Sequence, residues 1–228
     1  MAMHRFWNRK EAALLLAQKL LGRDFRDPLV LAIPRGGVAV GAVLAQELGA
    51  DLDVVLSRKL RVPGQPELAI GAISEAGEVY LDHYEEEAAG AWADYLAEER
   101  RLQLALITKR QQLYRRVRPR AFVSGRTVIV TDDGIATGST MISALKTVQA
   151  QTPFELIVAV PVAAPDRLEE IRRWCDEVIC LIRPERLYSI GRFYVDFSQV
   201  DDREVLELLR PFANASPADS ERMANSDA

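Results

Sequence analysis

The sequence predicts an α/β fold built on a doubly wound, mainly parallel central sheet. Helical patterns separate short apolar runs, so the chain repeats the strand-helix-strand order of right-handed parallel units. The apolar runs are typical of strands that a sheet buries on both faces. They lie at 29–33, 53–56, 128–130, 154–160 and 178–182.

The predicted helices have local start and stop signals. Asn8 and Glu11 form a capping box at the start of the first helix, and Gly22 ends it. Apolar residues at helical spacing, with glycine or proline at the ends, predict the others. These helices cover 38–48, 141–148, a stretch led by Pro165, and 202–209.

One long segment interrupts the alternation of strands and helices. Residues 60–82 contain two prolines and several glycines, so we expect a flexible loop at 60–74 followed by a small β-ribbon that turns near 75–78. Residues 85–116 predict a long charged helix. The apolar face expected to pack on the sheet consists of Trp92, Leu96, Leu102, Leu106, Ile107 and Leu113.

The C-terminal part of the chain contains two further segments. Residues 183–200 carry several aromatic side chains among polar ones, which indicates a small compact addition before the last helix. Residues 213–228 are rich in Ala, Ser, Asn and Asp and offer little to bury, so we expect a disordered tail. The rest of the chain, residues 1–212, is expected to form one domain.

Charge and composition narrow the class of function. The formal net charge is −4 and the pI is near 5.4, which gives no overall attraction to nucleic acid or to an anionic membrane. Seven basic residues and no acid lie between Lys109 and Arg126. This stretch is either a solvated helix face that runs into a loop, or a contact for a polyanion or a partner.

Cysteine and histidine usage excludes several chemistries. Cys175 and Cys180 have no histidine cluster near them in sequence, so reduced, buried thiols are expected rather than a zinc site or a disulfide framework. Only two histidines occur, His4 and His83, which excludes a histidine-rich metal centre. No apolar run approaches the roughly 20 residues of a membrane helix, and the N-terminus lacks the apolar core of a signal peptide. We therefore expect a cytoplasmic protein.

The most informative stretch follows the predicted strand at 128–130. Asp132 and Asp133 come first, and their oxygens can accept hydrogen bonds from vicinal hydroxyls or hold a hydrated Mg²⁺. A small-residue turn then opens a helix, where free N–H groups and the helix dipole favour a phosphate. A capped strand-turn-helix has the same local features, and is the alternative interpretation. The turn consists of Ala136, Thr137, Gly138, Ser139 and Thr140.

A second turn follows the predicted strand at 29–33. Arg35, Gly36 and Gly37 open the next helix, where main-chain N–H groups can meet an anion and the Arg35 guanidinium adds a fixed charge. Ligands of open α/β sheets gather at the carboxyl ends of the strands, so this turn and the one at 132–140 should face a common crevice. A tight turn with a surface arginine is the alternative.

Two cations follow the next strand. Arg58 and Lys59 are placed where they can neutralise a departing diphosphate, although surface salt bridges would also account for them. They stand directly before the loop expected at 60–74.

Residues 128–140 resemble the phosphoribosyl pyrophosphate (PRPP) signature of the type I phosphoribosyltransferases, with apolar positions, two acids and a small-residue phosphate turn. The resemblance covers about residues 5–210. It implies that Asp132 and Asp133 hold the ribose hydroxyls, and Mg²⁺ either directly or through water, while the turn at 136–140 holds the 5′-phosphate. By the same resemblance, pyrophosphate falls to the turn formed by Arg35, Gly36 and Gly37.

The implied activity is transfer of the phosphoribosyl group from PRPP to an acceptor, with release of pyrophosphate, by a homodimer. Asp132, Asp133, Arg58 and Lys59 form the expected catalytic set, and the 60–74 loop is expected to close over the substrate. This loop lacks the dense basic residues of orotate-type members.

The acceptor stays open at the level of the sequence. Ala136 stands where hypoxanthine/guanine-type members have an acid, which weakens the case for that substrate class. Tyr188, Phe193 and Tyr194 either stack on a flat acceptor ring or belong to the core. Two rival functions are a PRPP- or nucleotide-sensing regulator that binds nucleic acid through 109–126, and a hydrolase that uses water as the acceptor.

Overall fold

The computed structural model describes residues 5–75, 77–81 and 93–213. The strands are β1 (Leu29–Ala32), β2 (Asp51–Val54), β3 (Ser57–Val62), β4 (Gln65–Ser74), β5 (Val79–Leu81), β6 (Thr127–Thr131), β7 (Glu155–Val162) and β8 (Glu177–Ile182). Five of them form a parallel sheet in the order β2-β1-β6-β7-β8, and three form an antiparallel sheet in the order β3-β4-β5.

Helices cover both faces of the parallel sheet. One apolar cluster joins α1, α2 and α6 to one face, and a second joins α4 and α5 to the other. Alternating residues of a strand point to opposite faces, so Val30 lies in the first cluster while Leu29 and Leu31 lie in the second. The doubly wound parallel fold predicted from the sequence is therefore confirmed. The helices are α1 (Arg9–Leu20), α2 (Gly36–Leu48), α3 (Ala93–Tyr114), α4 (Ser139–Gln149), α5 (Pro165–Ile171) and α6 (Asp202–Leu209).

The register of the sheet brings the two predicted ligand turns together. The last residues of β1 and β6, Ala32 and Thr131, are directly paired, and the Ile33 N–H donates to the Thr131 carbonyl at 2.9 Å. The turns that follow therefore leave neighbouring strands at the same level of the same edge. This is the carboxyl edge, where open α/β sheets bind ligands.

The segment expected as a loop at 60–74 is instead part of a β-hairpin. Strands β3 and β4 pair in antiparallel fashion from Ser57 opposite Ser74 to the connecting turn at Pro63 and Gly64. Gly64 has a φ of +73°, which that turn requires and glycine adopts without steric cost. The Pro63-Gly64 pair lies between two stretches in which apolar residues alternate with others, and this pattern is a sequence signal for a hairpin. The ribbon with a turn near 75–78, which the sequence predicted, is confirmed by the pairing of β4 with β5.

Helix α3 packs differently from the prediction. The structure has the helix from Ala93 to Tyr114, and the expected start at 85–92 lies outside the described residues, as does Trp92. Leu102 and Leu106 are 46% and 44% exposed, so the predicted apolar face is wrong at these positions. The buried residues are Glu99, Gln103, Ile107 and Tyr114.

Polar contacts explain why α3 turns this face inward. The Glu99 carboxylate accepts from the main-chain N–H of Arg61 on β3 and from the side-chain amide N–H of Gln103. The side-chain Oε1 of Gln103 accepts from Arg58 Nε at 2.6 Å. The helix thus satisfies its buried polar groups against β3.

The aromatic segment at 183–200 packs against the N-terminal residues. Phe6 and Tyr194 form a β-bridge, and their rings are 5.4 Å apart. The tail beyond residue 213 lies outside the described residues. Among the helices the structure describes, none has the length and apolar character to cross a membrane.

Candidate active site

The turn between β6 and α4 is open to a ligand. In the described chain, the main-chain N–H groups of Thr137, Gly138, Ser139 and Thr140 donate to no protein acceptor. Gly138 has a φ of +88°, which gives the turn its shape before α4 begins. A cavity of about 150 Å³ lies against this turn and is also lined by Lys59, Asp132, Asp133 and Ile190. Free N–H donors at a helix start are suited to bind a phosphate.

The second turn packs directly against the two acids. A Cβ added to Gly36 would lie 1.9 Å from Asp133 Oδ2, and one added to Gly37 would lie 2.9 Å from Asp132 Cα. A side chain at position 36 would therefore displace the Asp133 carboxylate, and one at position 37 would press on the main chain of Asp132. The peptide bond between Pro34 and Arg35 is cis.

Asp132 and Asp133 occupy different environments although they are adjacent. Asp132 Oδ1 accepts from the Asp133 N–H at 2.8 Å. Burial and the neighbouring Asp133 carboxylate raise the pKa of Asp132 well above its usual value. Burial also raises the pKa of Asp133, against an opposing effect of the Arg9 guanidinium. Two adjacent carboxylates with little water around them are stabilised by a cation or by hydrogen-bond donors, so they are suited to bind a ligand that supplies either.

Arg9 is a site residue that the sequence analysis missed. Its Nε and Nη2 lie 2.9 Å and 2.8 Å from Asp133 Oδ2. Tyr194 adds a second contact, because its hydroxyl donates to the Asp133 carbonyl at 2.7 Å. A weak signal was present, since Arg9 is the first residue of α1 and a cation is unfavourable at that end of the helix dipole.

A second cavity, of about 410 Å³, continues from the first. Lys59, Asp132 and Thr140 line both cavities. Its other lining residues are mainly basic or polar, and include Ser57, Arg58, Arg61, Gln103 and Arg110.

Of the four cations that line this second cavity, only Arg110 has an acid partner among the described residues, Asp202 at 3.8 Å. Within the described residues, no carboxylate lies within ion-pair distance of Arg58, Lys59 or Arg61. Burial, with Arg110 and Arg61 nearby, lowers the pKa of Arg58 from its usual value. A cluster of cationic side chains of this kind is suited to bind an anion with several negative charges.

The structure brings together most of the residues singled out from the sequence. Asp132, Asp133, Arg58 and Lys59 border the joined cavities, as do Ala136, Thr137, Gly138 and Thr140 of the turn between β6 and α4. The Arg35 side chain lines neither cavity, although its main chain caps α2 beside Gly36. Ser139 is half-buried, and its hydroxyl lies 3.2 Å from that of Thr137.

The basic stretch from Lys109 to Arg126 is mostly used inside the molecule. Arg115 pairs with Asp53 at 2.5 Å and Arg118 with Asp51 at 2.6 Å. The guanidinium groups of Arg118 and Arg126 are buried. The solvated alternative holds for Lys109, Arg116 and Arg120, which are exposed. The other part of the stretch differs from it, because Arg115, Arg118 and Arg126 pair with acids of the edge strand β2 and tie the segment before β6 to that strand. The nucleic-acid-binding regulator loses its principal support.

The aromatic residues of 183–200 divide between core and surface. Phe193 and Tyr194 are buried, whereas Tyr188 is 72% exposed.

Burial raises the pKa of the thiols of Cys175 and Cys180, which form no disulfide. These cysteines are therefore poor nucleophiles.

Two curated proteins are similar to this chain in sequence. A protein curated as "Putative phosphoribosyl transferase Rv0571c" from Mycobacterium tuberculosis H37Rv is 38% identical over 224 residues, and its counterpart in strain CDC 1551 matches equally. The match covers 96% of this chain and 50% of each relative, so the chain spans about half the length of these curated relatives.

A solved structure and a family model extend the comparison. The crystal structure of TT1426 from Thermus thermophilus is 42% identical, with a TM-score of 0.80, and the match covers 92% of this chain and 100% of that one. The model of the phosphoribosyl transferase domain matches residues 8–198. The chain therefore belongs to the phosphoribosyl transferase domain family.

Proposed function

We propose that the protein is a phosphoribosyltransferase that uses PRPP and Mg²⁺ and releases pyrophosphate. One observation carries the proposal: Asp132 borders both cavities, and Asp133 lines the first of them. Within the described residues, the N–H groups along the first cavity have no protein acceptor, and Arg58, Lys59 and Arg61 of the second cavity have no acid partner. PRPP has the matching arrangement, with a monophosphate at one end, a diphosphate at the other and two hydroxyls on the ribose between them.

Each end of PRPP has a matching set of donors. The turn at 136–140 binds the 5′-phosphate through main-chain N–H groups and hydroxyls. Arg58 and Lys59 bind the diphosphate, and Arg61 and Arg110 add charge to the same cavity. Among the described residues, the main-chain N–H groups of the turn at 35–37 likewise have no protein acceptor, which supports a further contact to the diphosphate. Asp132 and Asp133 accept hydrogen bonds from the ribose hydroxyls.

The donor set fits Mg²⁺ that arrives with the substrate. Mg²⁺ is usually held by one or two carboxylates, with phosphates and waters completing its shell. Asp132 borders both cavities and is the better placed acid, because Arg9 already occupies one oxygen of Asp133. No group of three or more candidate metal ligands occurs among the described residues, so a full protein cage is not expected. When bound, the ion offsets negative charge on the diphosphate.

The reaction is then a displacement at C1 of the ribose. The acceptor lone pair forms the new bond to C1 as the bond from C1 to the diphosphate oxygen breaks, and the bonding electrons leave with the diphosphate. Arg58 and Lys59 stabilise the growing negative charge, while Asp132 and Asp133 fix the ring and offset the positive charge that develops on it. No covalent enzyme intermediate is needed.

The acceptor is tested directly by measuring pyrophosphate release from PRPP and Mg²⁺ across a panel of nucleobases and amines. We expect one acceptor to respond, and Asp133→Asn to lower PRPP affinity sharply while the fold is retained. Asp166→Asn, at an exposed position on α5, is the matched control. Failure of the wild-type protein to bind PRPP in calorimetry would overturn the proposal.

We also propose a homodimer, on family resemblance alone, together with the cytoplasmic location expected from the sequence. Analytical ultracentrifugation tests the assembly: a single species with the mass of one chain at all concentrations would contradict it.

A further inference from the structure

We propose that Arg9 is a positioning residue, which fixes the Asp133 carboxylate in the orientation that receives the ribose of PRPP. The inference rests on the proposed function and adds to it a residue outside both sequence motifs. Arg9 and Asp133 are separated by 124 positions in the chain, so only the fold joins them.

All three guanidinium nitrogens of Arg9 contact an oxygen atom of the protein. Nε and Nη2 reach Asp133 Oδ2 at 2.9 Å and 2.8 Å, and Nη1 donates to the Ser198 carbonyl at 2.8 Å. The flat face of the group lies 3.9 Å from the centre of the Phe197 ring. A planar guanidinium held on its edge and on its face has a fixed orientation, which a flexible lysine ammonium would not reproduce.

The contacts on Asp133 come from several directions. Gly36 leaves room for Oδ2, since a Cβ at that position would overlap it, and the Tyr194 hydroxyl fixes the Asp133 carbonyl. The Tyr194 ring in turn stacks on Phe197 at 5.0 Å. Both Arg9 donors reach Oδ2, which leaves Oδ1 as the oxygen for a ligand hydroxyl.

Stability alone gives little reason for a buried ion pair between Arg9 and Asp133. Bringing two charges out of water opposes folding, and an apolar pair at such a site is often as stable. Arg9 and Asp133 are nevertheless largely buried, with side chains 11% and 13% exposed. Holding a reacting group in one geometry has large effects on rate and binding, because a displacement of about 1 Å can cost about 100-fold. Positioning therefore gives this ion pair a functional reason.

The test compares Arg9→Gln, Arg9→Lys and Asp133→Asn by calorimetry in the presence of Mg²⁺. Three probes are titrated: PRPP, ribose 5-phosphate and inorganic pyrophosphate. We expect Arg9→Gln to weaken PRPP and ribose 5-phosphate by about 10- to 100-fold, the range for a lost hydrogen bond to a charged group. Pyrophosphate has no ribose, so its affinity should change less than about 2-fold. Arg9→Lys should recover part of the loss.

A double variant separates positioning from general structural support. If Arg9 acts through Asp133, then Arg9→Gln combined with Asp133→Asn should bind PRPP no more weakly than Asp133→Asn alone. Lys10→Gln is the matched control, since it removes a charge from the next, exposed position of α1.

Three results would overturn the inference. They are unchanged PRPP affinity in Arg9→Gln, equal weakening of PRPP and pyrophosphate, and additive losses in the double variant. Wild-type protein that fails to bind PRPP would instead overturn the proposed function, and this inference with it. If the wild-type protein binds PRPP and Arg9→Gln binds it equally well, only this inference is overturned.

Discussion

Gly36 and Asp133 lie in such close contact that a single added carbon on Gly36 would fall 1.9 Å from Asp133 Oδ2. The contact joins the turn after β1 to the turn after β6. It also makes the position of one carboxylate depend on the absence of a side chain elsewhere in the chain. Substitution of this glycine is therefore a direct test of the geometry.

Gly36→Ala should lower PRPP affinity at least about tenfold, because the new methyl displaces the Asp133 carboxylate from its hydrogen bonds with Arg9. Calorimetry with PRPP and Mg²⁺ measures the loss, and thermal unfolding verifies that the variant is folded. Gly22→Asn is the control, since a Cβ there would have nothing within 4 Å and asparagine tolerates its positive φ. Wild-type affinity in a folded Gly36→Ala protein would contradict the close contact.

Arg58→Gln should weaken pyrophosphate binding by about 10- to 100-fold, because a charge-assisted hydrogen bond to the anion is lost. The wild-type affinity should also fall as salt is added, since part of the site is open to solvent. Arg116→Gln removes the same charge from an exposed position and is the control. Equal losses in both variants would indicate a general charge effect rather than a site at Arg58.

Asp53→Ala should lower the free energy of unfolding by about 3–5 kcal/mol, the range for breaking a buried ion pair. Asp53 accepts from Arg115 Nη1 at 2.5 Å and from the Ala121 N–H at 2.9 Å. Its removal leaves the buried Ala121 donor without its acceptor and leaves Arg115 with the more distant Glu75, at 4.0 Å, as its acid partner. Urea unfolding measures the change. Asp166→Ala, whose side chain is 68% exposed, should change stability by less than about 0.5 kcal/mol.

Glu75 should make stability depend on pH. Burial raises its pKa above the usual 4.5, although Arg120 and Arg115 oppose the shift. The folded state then holds more protons than the unfolded state just above pH 4.5, so the free energy of unfolding falls as pH rises through that window. Glu75→Gln removes this titration, and its stability relative to wild type should rise from pH 4.5 to neutral pH. Urea unfolding curves whose difference is the same at every pH would contradict the expectation.

Local sequence patterns were sufficient for the parallel sheet and for the two turns. The apolar run at 128–130, the acids after it and the small residues at 136–140 are contiguous, so they predict a strand, a turn and a helix start without any distant contact. The edge at which the turns meet follows from the rule that parallel strands present their carboxyl ends together.

The hairpin and the long helix show where local patterns were insufficient. Residues 60–74 were expected as a loop because of their prolines and glycines, yet pairing of β3 with β4 uses them as strands. On α3, Leu102 and Leu106 were expected inside, but Glu99 and Gln103 are buried because they satisfy polar groups of β3 and each other. Partners from elsewhere in the chain decided both outcomes.

The sequence by itself determined the parallel sheet, the acid pair and the small-residue turn at 136–140, because each depends on residues that are neighbours in the chain. Tertiary structure alone decided which groups surround those acids. Arg9, Gly36 and Tyr194 reach Asp133 from three separate segments, and Arg61 and Arg110 join Arg58 around one cavity. The physical reason is that hydrogen bonds and charge interactions act over a few ångströms of space, whatever the separation along the chain.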